Sequence, residues 1–405
     1  MFKKFNIYKG LPKGVYILFL VQVVNRFGDF VLPFMTLFLT KKLGLSFQIV
    51  GIIVMIESIL SIPGAIAGGK FADQIGRKKT YIFAQTTAAL ALIPCAFITN
   101  PYVIVSFLLT STFFNGAVRP PLNAIIADVL PPDRRQAGYS LLYLGINLGV
   151  SIGPIVAGFL FNNFLPMLFI GDALTSLTAV ILFIVYIDET KPSNETEAAA
   201  SKERAEEGNV FQVLLRRPQI LIFLVIYIIY SIVYTQHRFS LPLMLDNVYM
   251  GNGAEKFGFL MSVNACTVIF LTVFITSFTR KLHALPNMII AGVLYAVGFG
   301  MIGIVKSFPL FMLSTVLWTI GEILTVTNFG VYVANNSPAN YRARFSAVGN
   351  LSWATGAALG TSLMGKYIDS LGIAAVWPLT FILSCIAVFF MMMLYMYSYK
   401  KGDLS

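Results

Sequence analysis

Twelve long apolar runs, parted by short charged breaks, leave this chain few ways to fold. They lie near residues 14–40, 46–69, 80–98, 102–129, 136–161, 165–188, 218–247, 255–279, 285–305, 308–334, 342–369 and 373–398. A helix rising about 1.5 Å per residue crosses about 30 Å of hydrocarbon in runs of this length. In lipid every backbone N–H and C=O must be satisfied within the protein, and a helix does this inside one segment. The expected fold is an all-α membrane protein with twelve transmembrane helices. Prolines interrupt several runs (Pro33, Pro63, Pro94, Pro120, Pro121, Pro154, Pro242), which spanning helices tolerate where neighbours re-satisfy the freed carbonyls. At 57% hydrophobic and 12% charged, 405 residues are too apolar for a water-soluble protein.

The formal charge of +11 would point to nucleic acid in a soluble protein. Here the basic residues orient the chain instead. Of 29 lysines and arginines, 21 fall at the termini and in the loops on their side, and five in the loops opposite. The excess places both termini in the cytoplasm. A multi-pass protein of the cell membrane, of the bacterial inner-membrane kind, is expected, with the bilayer and not nucleic acid as its surroundings. Lys3, Lys4, Lys9 and Lys13 precede the first run without a small-residue cleavage site, so that run reads as a retained span. Cys95, Cys266 and Cys385 lie singly in apolar runs, so neither a disulfide framework nor a metal site is expected.

The one long polar stretch runs from Asp188 to Arg217 and carries no enzymatic motif, so an enzyme is not expected. It divides the chain into an N-terminal set of six spans (1–188), a linker (189–217) and a C-terminal set of six (218–405). The two sets repeat each other. Pro131 and Pro338, Arg135 and Arg342, Gly149 and Gly356, Gly153 and Gly360, and Gly158 and Gly365 are each 207 residues apart. A shift of 209 brings Leu32-Pro33 onto Leu241-Pro242 and Met35 onto Met244. Parallel six-helix repeats of this kind carry a substrate site between them near the bilayer midplane.

The break after the second run reads Gly69-Lys70-Phe71-Ala72-Asp73-Gln74-Ile75-Gly76-Arg77-Lys78-Lys79. Its glycines permit a tight turn and Asp73 is placed to pair with a cation or a helix N-terminus. The stretch resembles the signature loop between the second and third helices of the major facilitator superfamily, with Phe71 in place of a leucine and Gln74 where arginine is common. Gly149-Val150-Ser151-Ile152-Gly153-Pro154 with Gly158 resembles the fifth-helix motif of the drug:proton antiporter branch, Ala157 replacing one glycine. Pro33, Leu43-Gly44-Leu45-Ser46 and Gly51 resemble that branch's first-to-second span pattern. Its fourth-helix arginine is absent: Thr112 stands four residues before Gly116, and Arg119 follows one turn later. The resemblance implies two pseudo-symmetric six-helix bundles, alternating access and export, with protons as the coupling ion and no other cofactor.

Ionisable groups inside spans cost several kcal/mol unless paired or hydrated, so each is a functional candidate. They are Arg26, Asp29, Glu57, Arg119, Asp128, Asp172, Arg238 and Glu322, with His237 beside them. The family architecture implies that spans one, four, seven and ten line the cavity, and Asp29, Arg119, Arg238 and Glu322 occupy one each. Asp29, Glu322 and Glu57 are the expected proton-coupling acids, Asp29 having a permanent pair with Arg238 as its alternative. Arg26, Arg119, Arg238, Asn25 and Trp318 are expected to line the cavity. Gly69, Asp73, Gly76, Arg77, Lys78 and Asp128 are expected to form a conformational gate, Asp128 pairing with Arg77 or Lys78 and Asp73 locking one state against spans four and eleven. Gly149, Gly153, Pro154 and Gly158 form the fifth-helix motif. Asp172 is expected to be structural.

The function expected is a proton-coupled secondary transporter, acting as a monomer and exporting small amphipathic compounds or drugs. A rival is a proton-coupled importer of peptides or other carboxylates. Asn25-Arg26-Phe27 resembles the first span of peptide transporters, although Gln22 and Asn25 replace that family's two glutamates. A second rival is a sensor or lipid-handling protein of the same fold that moves no solute.

Overall fold

The computed structural model describes residues 8–190, 214, 216–279, 282–337 and 342–400, and among them there is no strand. The helices in order are α1 (Lys13–Phe27), α2 (Val31–Leu37), α3 (Phe47–Ile75), α4 (Arg77–Leu92), α5 (Pro101–Val129), α6 (Pro132–Asn163) and α7 (Leu165–Tyr186). After the linker come α8 (Pro218–Tyr249), α9 (Gly253–Thr279), α10 (Ala284–Met301), α11 (Phe308–Asn336), α12 (Arg342–Leu371) and α13 (Val376–Lys400). Taking α1 and α2 together as Lys13–Lys42, ten helical stretches among the described residues are long and apolar enough to cross a membrane. The two that fall short have plain reasons. Helix α4 has only 16 residues and opens on Arg77-Lys78-Lys79, and α12 is diluted by glycines and by Lys366 and Asp369.

Two expected segments differ in detail. The first run is not one helix: α1 stops at Phe27, and Gly28, Asp29 and Phe30 lie outside the helix before α2 begins. Helix α2 then continues as a wider, π-type turn over Phe38–Lys42. The charged break at 69–79 is mostly helical, because α3 runs on to Ile75 and α4 starts at Arg77. Only Gly76 turns the chain, at φ 105° and ψ 155°, a region that a side chain excludes. Elsewhere the helix starts are chemically specified. Asn100 accepts from the amides of Tyr102 (3.0 Å) and Val103 (3.4 Å) ahead of Pro101.

The chain divides into two compact units. The first gathers the residues up to Gly44, those from Ile56 to the linker, and Tyr249–Ala265. In it α4 packs on α5 and α7, and α1 on α6 and α7. Its apolar core includes Val15, Leu18, Tyr81, Ile126 and Phe183, with the Tyr81 and Phe183 rings stacked at 3.9 Å. The second unit gathers Leu45–Met55, the residues from the linker to Val248, and those from Cys266 onward. There α10 packs on both α11 and α13.

Glycines set the closest helix approaches, and the sequence repeat returns as packing. In the first unit a Cβ on Gly149 or Gly153 would strike the α1 backbone at Phe27. One on Gly158 would meet the carbonyl of Ala254, and one on Gly258 that of Pro154. In the second unit a Cβ on Gly356 would strike the α8 backbone at Ile228 and one on Gly360 would press on Ile232 less closely, while Gly365 faces Phe47 and Gly51 faces Thr361. The contacts of Gly158, Gly365, Gly258 and Gly51 form two pairs whose members are all related by 207 residues. Bare backbone at these points is what lets helices in lipid associate through van der Waals contact. The polar clasps at the two seams differ. Asp369 accepts from the amides of Phe47 (3.2 Å) and Gln48 (2.8 Å) at the start of α3, whereas Asn162 donates to the Gly251 carbonyl at 3.0 Å.

Candidate functional site

In the first unit the expected gate residues converge on one guanidinium. Arg77 is 7% exposed, its Nε is 3.2 Å from Asp128 Oδ2 and its Nη2 is 3.5 Å from Asp73 Oδ1. The first is a charge contact and not a directed hydrogen bond, since that N–H has no aligned acceptor. Arg77 Nη1 donates to the Ala72 carbonyl at 3.4 Å, and Thr190 donates to Asp128 at 3.0 Å. Lys78 turns away to the Ile184 carbonyl, 2.8 Å from its Nζ. Gly69 has only the Pro120 side chain near its Cβ position.

Sequence reasoning missed Glu189. Its carboxylate accepts from the amides of Arg77 (2.7 Å) and Lys78 (3.2 Å), neutralising the exposed N-terminus of α4. A Cβ on Gly76 would collide with this carboxylate, so Gly76 is required for the close approach as well as for the turn. Glu189 stands at the head of the polar linker, about a hundred residues from its partners, and its only sequence signal was being an acid just past the end of a span.

The break in span one holds a second cluster. Arg26 Nη1 donates to Asp29 Oδ2 at 2.9 Å, and both side chains are about one quarter exposed (25% and 24%). The pair spans the gap where α1 stops, so each charge is neutralised within one turn. Asn25 donates to Ser176 of α7 at 3.2 Å. Asp172, also on α7, is 7% exposed and accepts from the amides of Phe30 and Val31, 3.1 Å each. Arg26 was expected to line the cavity and Asp29 to couple protons; the structure joins the two locally. Glu57 is half-buried on α3 and Arg119 is exposed on α5.

The second unit gathers aromatic rings around Tyr234. Glu322 and Arg238 both lie within electrostatic reach of its hydroxyl. The Tyr234 ring is 5.5 Å from Trp353 and 4.3 Å from His237, and Tyr227 stacks on Phe329 at 4.4 Å. His237 Nδ1 is 2.6 Å from the Tyr234 carbonyl. Glu322, Tyr234 and Trp353 are half-buried and Arg238 is exposed. Trp318, expected on the cavity wall, is instead fully buried (0% exposed), stacked against Phe299 at 5.6 Å. The more accessible indole on Tyr234 is that of Trp353. Among the described residues no three His, Cys, Asp or Glu side chains group as metal ligands would.

Known proteins give this arrangement a context. The chain is 23% identical over 358 residues to a Na(+), Li(+), K(+)/H(+) antiporter of Planococcus maritimus, covering 80% of the chain and 82% of that relative. It is 25% identical over 367 residues to the multidrug resistance protein MdtH of Edwardsiella ictaluri (strain 93-146), covering 88% and 87%. Among solved structures it resembles a POT family transporter in complex with a thioalcohol-conjugated peptide, with TM-score 0.78, 17% identity and 97% of each chain covered. The nucleoside transporter NupG aligns with TM-score 0.77, 15% identity and 95% and 99% coverage. At such identities the structural likeness speaks for the fold alone. Residues 18–361 match the family whose description is Major Facilitator Superfamily. With its all-helical architecture and relatives that are transporters along most of their length, this chain belongs to the Major Facilitator Superfamily.

Proposed function

We propose that the protein is a proton-coupled secondary transporter that exports small amphipathic compounds by alternating access. In this reading twelve spans form two six-helix bundles (1–188 and 218–405), both termini are cytoplasmic, and the membrane is a bacterial-type cell membrane. The observation that carries the reading is Glu322: a half-buried carboxylate in an apolar helix, within electrostatic reach of Tyr234, whose ring packs on Trp353. An acid among aromatic faces attracts a lipophilic cation through both charge and ring quadrupole. The same acid serves a proton when the cation leaves, so the two bind in alternation, as exchange requires. The MdtH relative, a multidrug resistance protein by name, supports the same direction. One proton moved through 100 mV is worth about 2.3 kcal/mol, roughly a fifty-fold gradient of substrate.

Ethidium flux in proteoliposomes under an imposed pH gradient tests the proposal. Wild-type protein concentrates ethidium against its gradient, and Glu322→Gln loses the pH-driven flux while retaining ethidium exchange. A Glu322→Gln protein that still concentrates ethidium removes the acid from coupling. The rival importer of carboxylate-bearing solutes is favoured by the exposed Arg119 and Arg238. It gains the place of the exporter if a dipeptide is taken up with protons and ethidium is not moved.

A further inference from the structure

Asp172 was expected to be a structural acid, yet it is buried against the break in span one. Helix α1 stops at Phe27, so the amide of Val31 lacks the carbonyl partner that a continuous helix provides, while that of Phe30 is shared with the Gly28 carbonyl at 2.7 Å. Both donate to Asp172 Oδ2. The next turn of α7 closes the same joint: a Cβ on Gly28 would collide with the Thr175 hydroxyl, and Ser176 accepts from Asn25. The break therefore sits on a polar ladder of α7.

The charged groups that act on Asp172 are Asp29 and Arg26, both from the break. The buried titratable groups of the other packed elements are Arg77 and Tyr81 on α4 and Cys95 in the turn Ile93–Ala96. Helix α2 carries no charged residue, and Arg134 and Arg135 of α6 donate to the carbonyls of Lys9, Gly10 and Ala127. Arg26 is already engaged by Asp29 at 2.9 Å. By contrast, the hydrogen bonds to the Asp172 carboxylate among the described residues come from two neutral amides and both fall on Oδ2, not on Oδ1.

We propose that Asp172 is the acid of the first unit that takes up and returns the coupling proton, and that Asp29 is the fixed counter-ion of Arg26. A proton from water on one side adds to Oδ1 and forms an O–H bond. That bond breaks when the proton passes to water on the other side. Meanwhile Oδ2, as a carbonyl oxygen, still accepts both amides. A hydrogen bond to a charged acceptor is about twice as strong as a neutral one, so protonation slackens the joint between α1 and α2 without opening it. Proton occupancy and the pitch of α2 are then linked, each biasing the other. This assignment rests on the proton-coupled reading above and names a second acid for it.

Infrared difference spectra of the full chain, in phosphatidylethanolamine and phosphatidylglycerol vesicles at acid and neutral pH, test the assignment without any substrate. Wild type minus Asp172→Asn is expected to contain a carboxylic C=O band, and wild type minus Asp29→Asn none. The reverse pattern, or no band in either difference, overturns it. Asparagine keeps the accepting oxygen. Should that variant not reconstitute, Asp172→Glu decides together with Asp29→Asn: the band shifts in the former and is unchanged in the latter if Asp172 titrates. Failure of ethidium efflux with the band present sinks the exporter reading alone.

Discussion

Single residues carry more here than composition suggests. Gly76 holds a φ of 105° in contact with the Glu189 carboxylate, so Gly76→Ala meets both a backbone penalty of about 1–3 kcal/mol and a collision. It is expected to lower the unfolding temperature of the purified protein in detergent. Glu189→Ala removes the acceptor from two amides of α4, a loss of about 1 kcal/mol on the scale of helix caps, and Glu189→Gln a smaller one. If Glu189→Ala melts with wild type, the cap does not contribute. The pairing of Arg77 with Asp128 was legible from residue types, because a buried guanidinium needs an acid and Asp128 ends a neighbouring span. Glu189 was not, because no local pattern links a linker acid to a turn about a hundred residues earlier.

At the scale of helices, glycine means different things at different places, and the structure separates them. Gly258 lies against the Pro154 carbonyl, whereas Gly330, in the body of α11, has open space where a Cβ would go. Opposite shifts in thermal unfolding are expected. Gly330→Ala gains about 0.5–1 kcal/mol by removing backbone freedom from the unfolded chain, and Gly258→Ala destabilises by about 1–3 kcal/mol through overpacking. Equal shifts for the two variants would refute the packing account. The glycine spacing in the fifth and eleventh spans was visible as a repeat. Which helix each glycine touches was not: Gly149 and Gly153 face α1, but Gly158, on the same helix, faces the start of α9.

For the whole molecule, the proposed alternating-access cycle asks the charged cluster at Arg77 to hold one state and release it in another. Asp73 is 70% exposed and 3.5 Å from Arg77, while the Asp128 contact is shorter at 3.2 Å with a side chain only 20% exposed. Water screens the first contact more than the second. Asp73→Asn is therefore expected to slow ethidium flux several-fold with ethidium binding, read by fluorescence, unchanged, and Asp128→Asn to slow it more. Unaltered flux in both would remove the lock from the transport cycle.

The order of apolar runs, their length and the loop charges determined by themselves that this is a helical membrane protein, because hydrocarbon admits no unpaired backbone and the constraint acts on every segment locally. The repeat at 207 residues and the motif around Asp73 likewise pointed to the family. The break that turns span one at Gly28, the capture of its amides by Asp172, the cap from Glu189, and the burial of Trp318 while Trp353 stays accessible were decided only by the tertiary structure. Each depends on which remote helix supplies an acceptor or a ring, and apolar periodicity is blind to that choice, since lipid and protein interior look alike to a leucine.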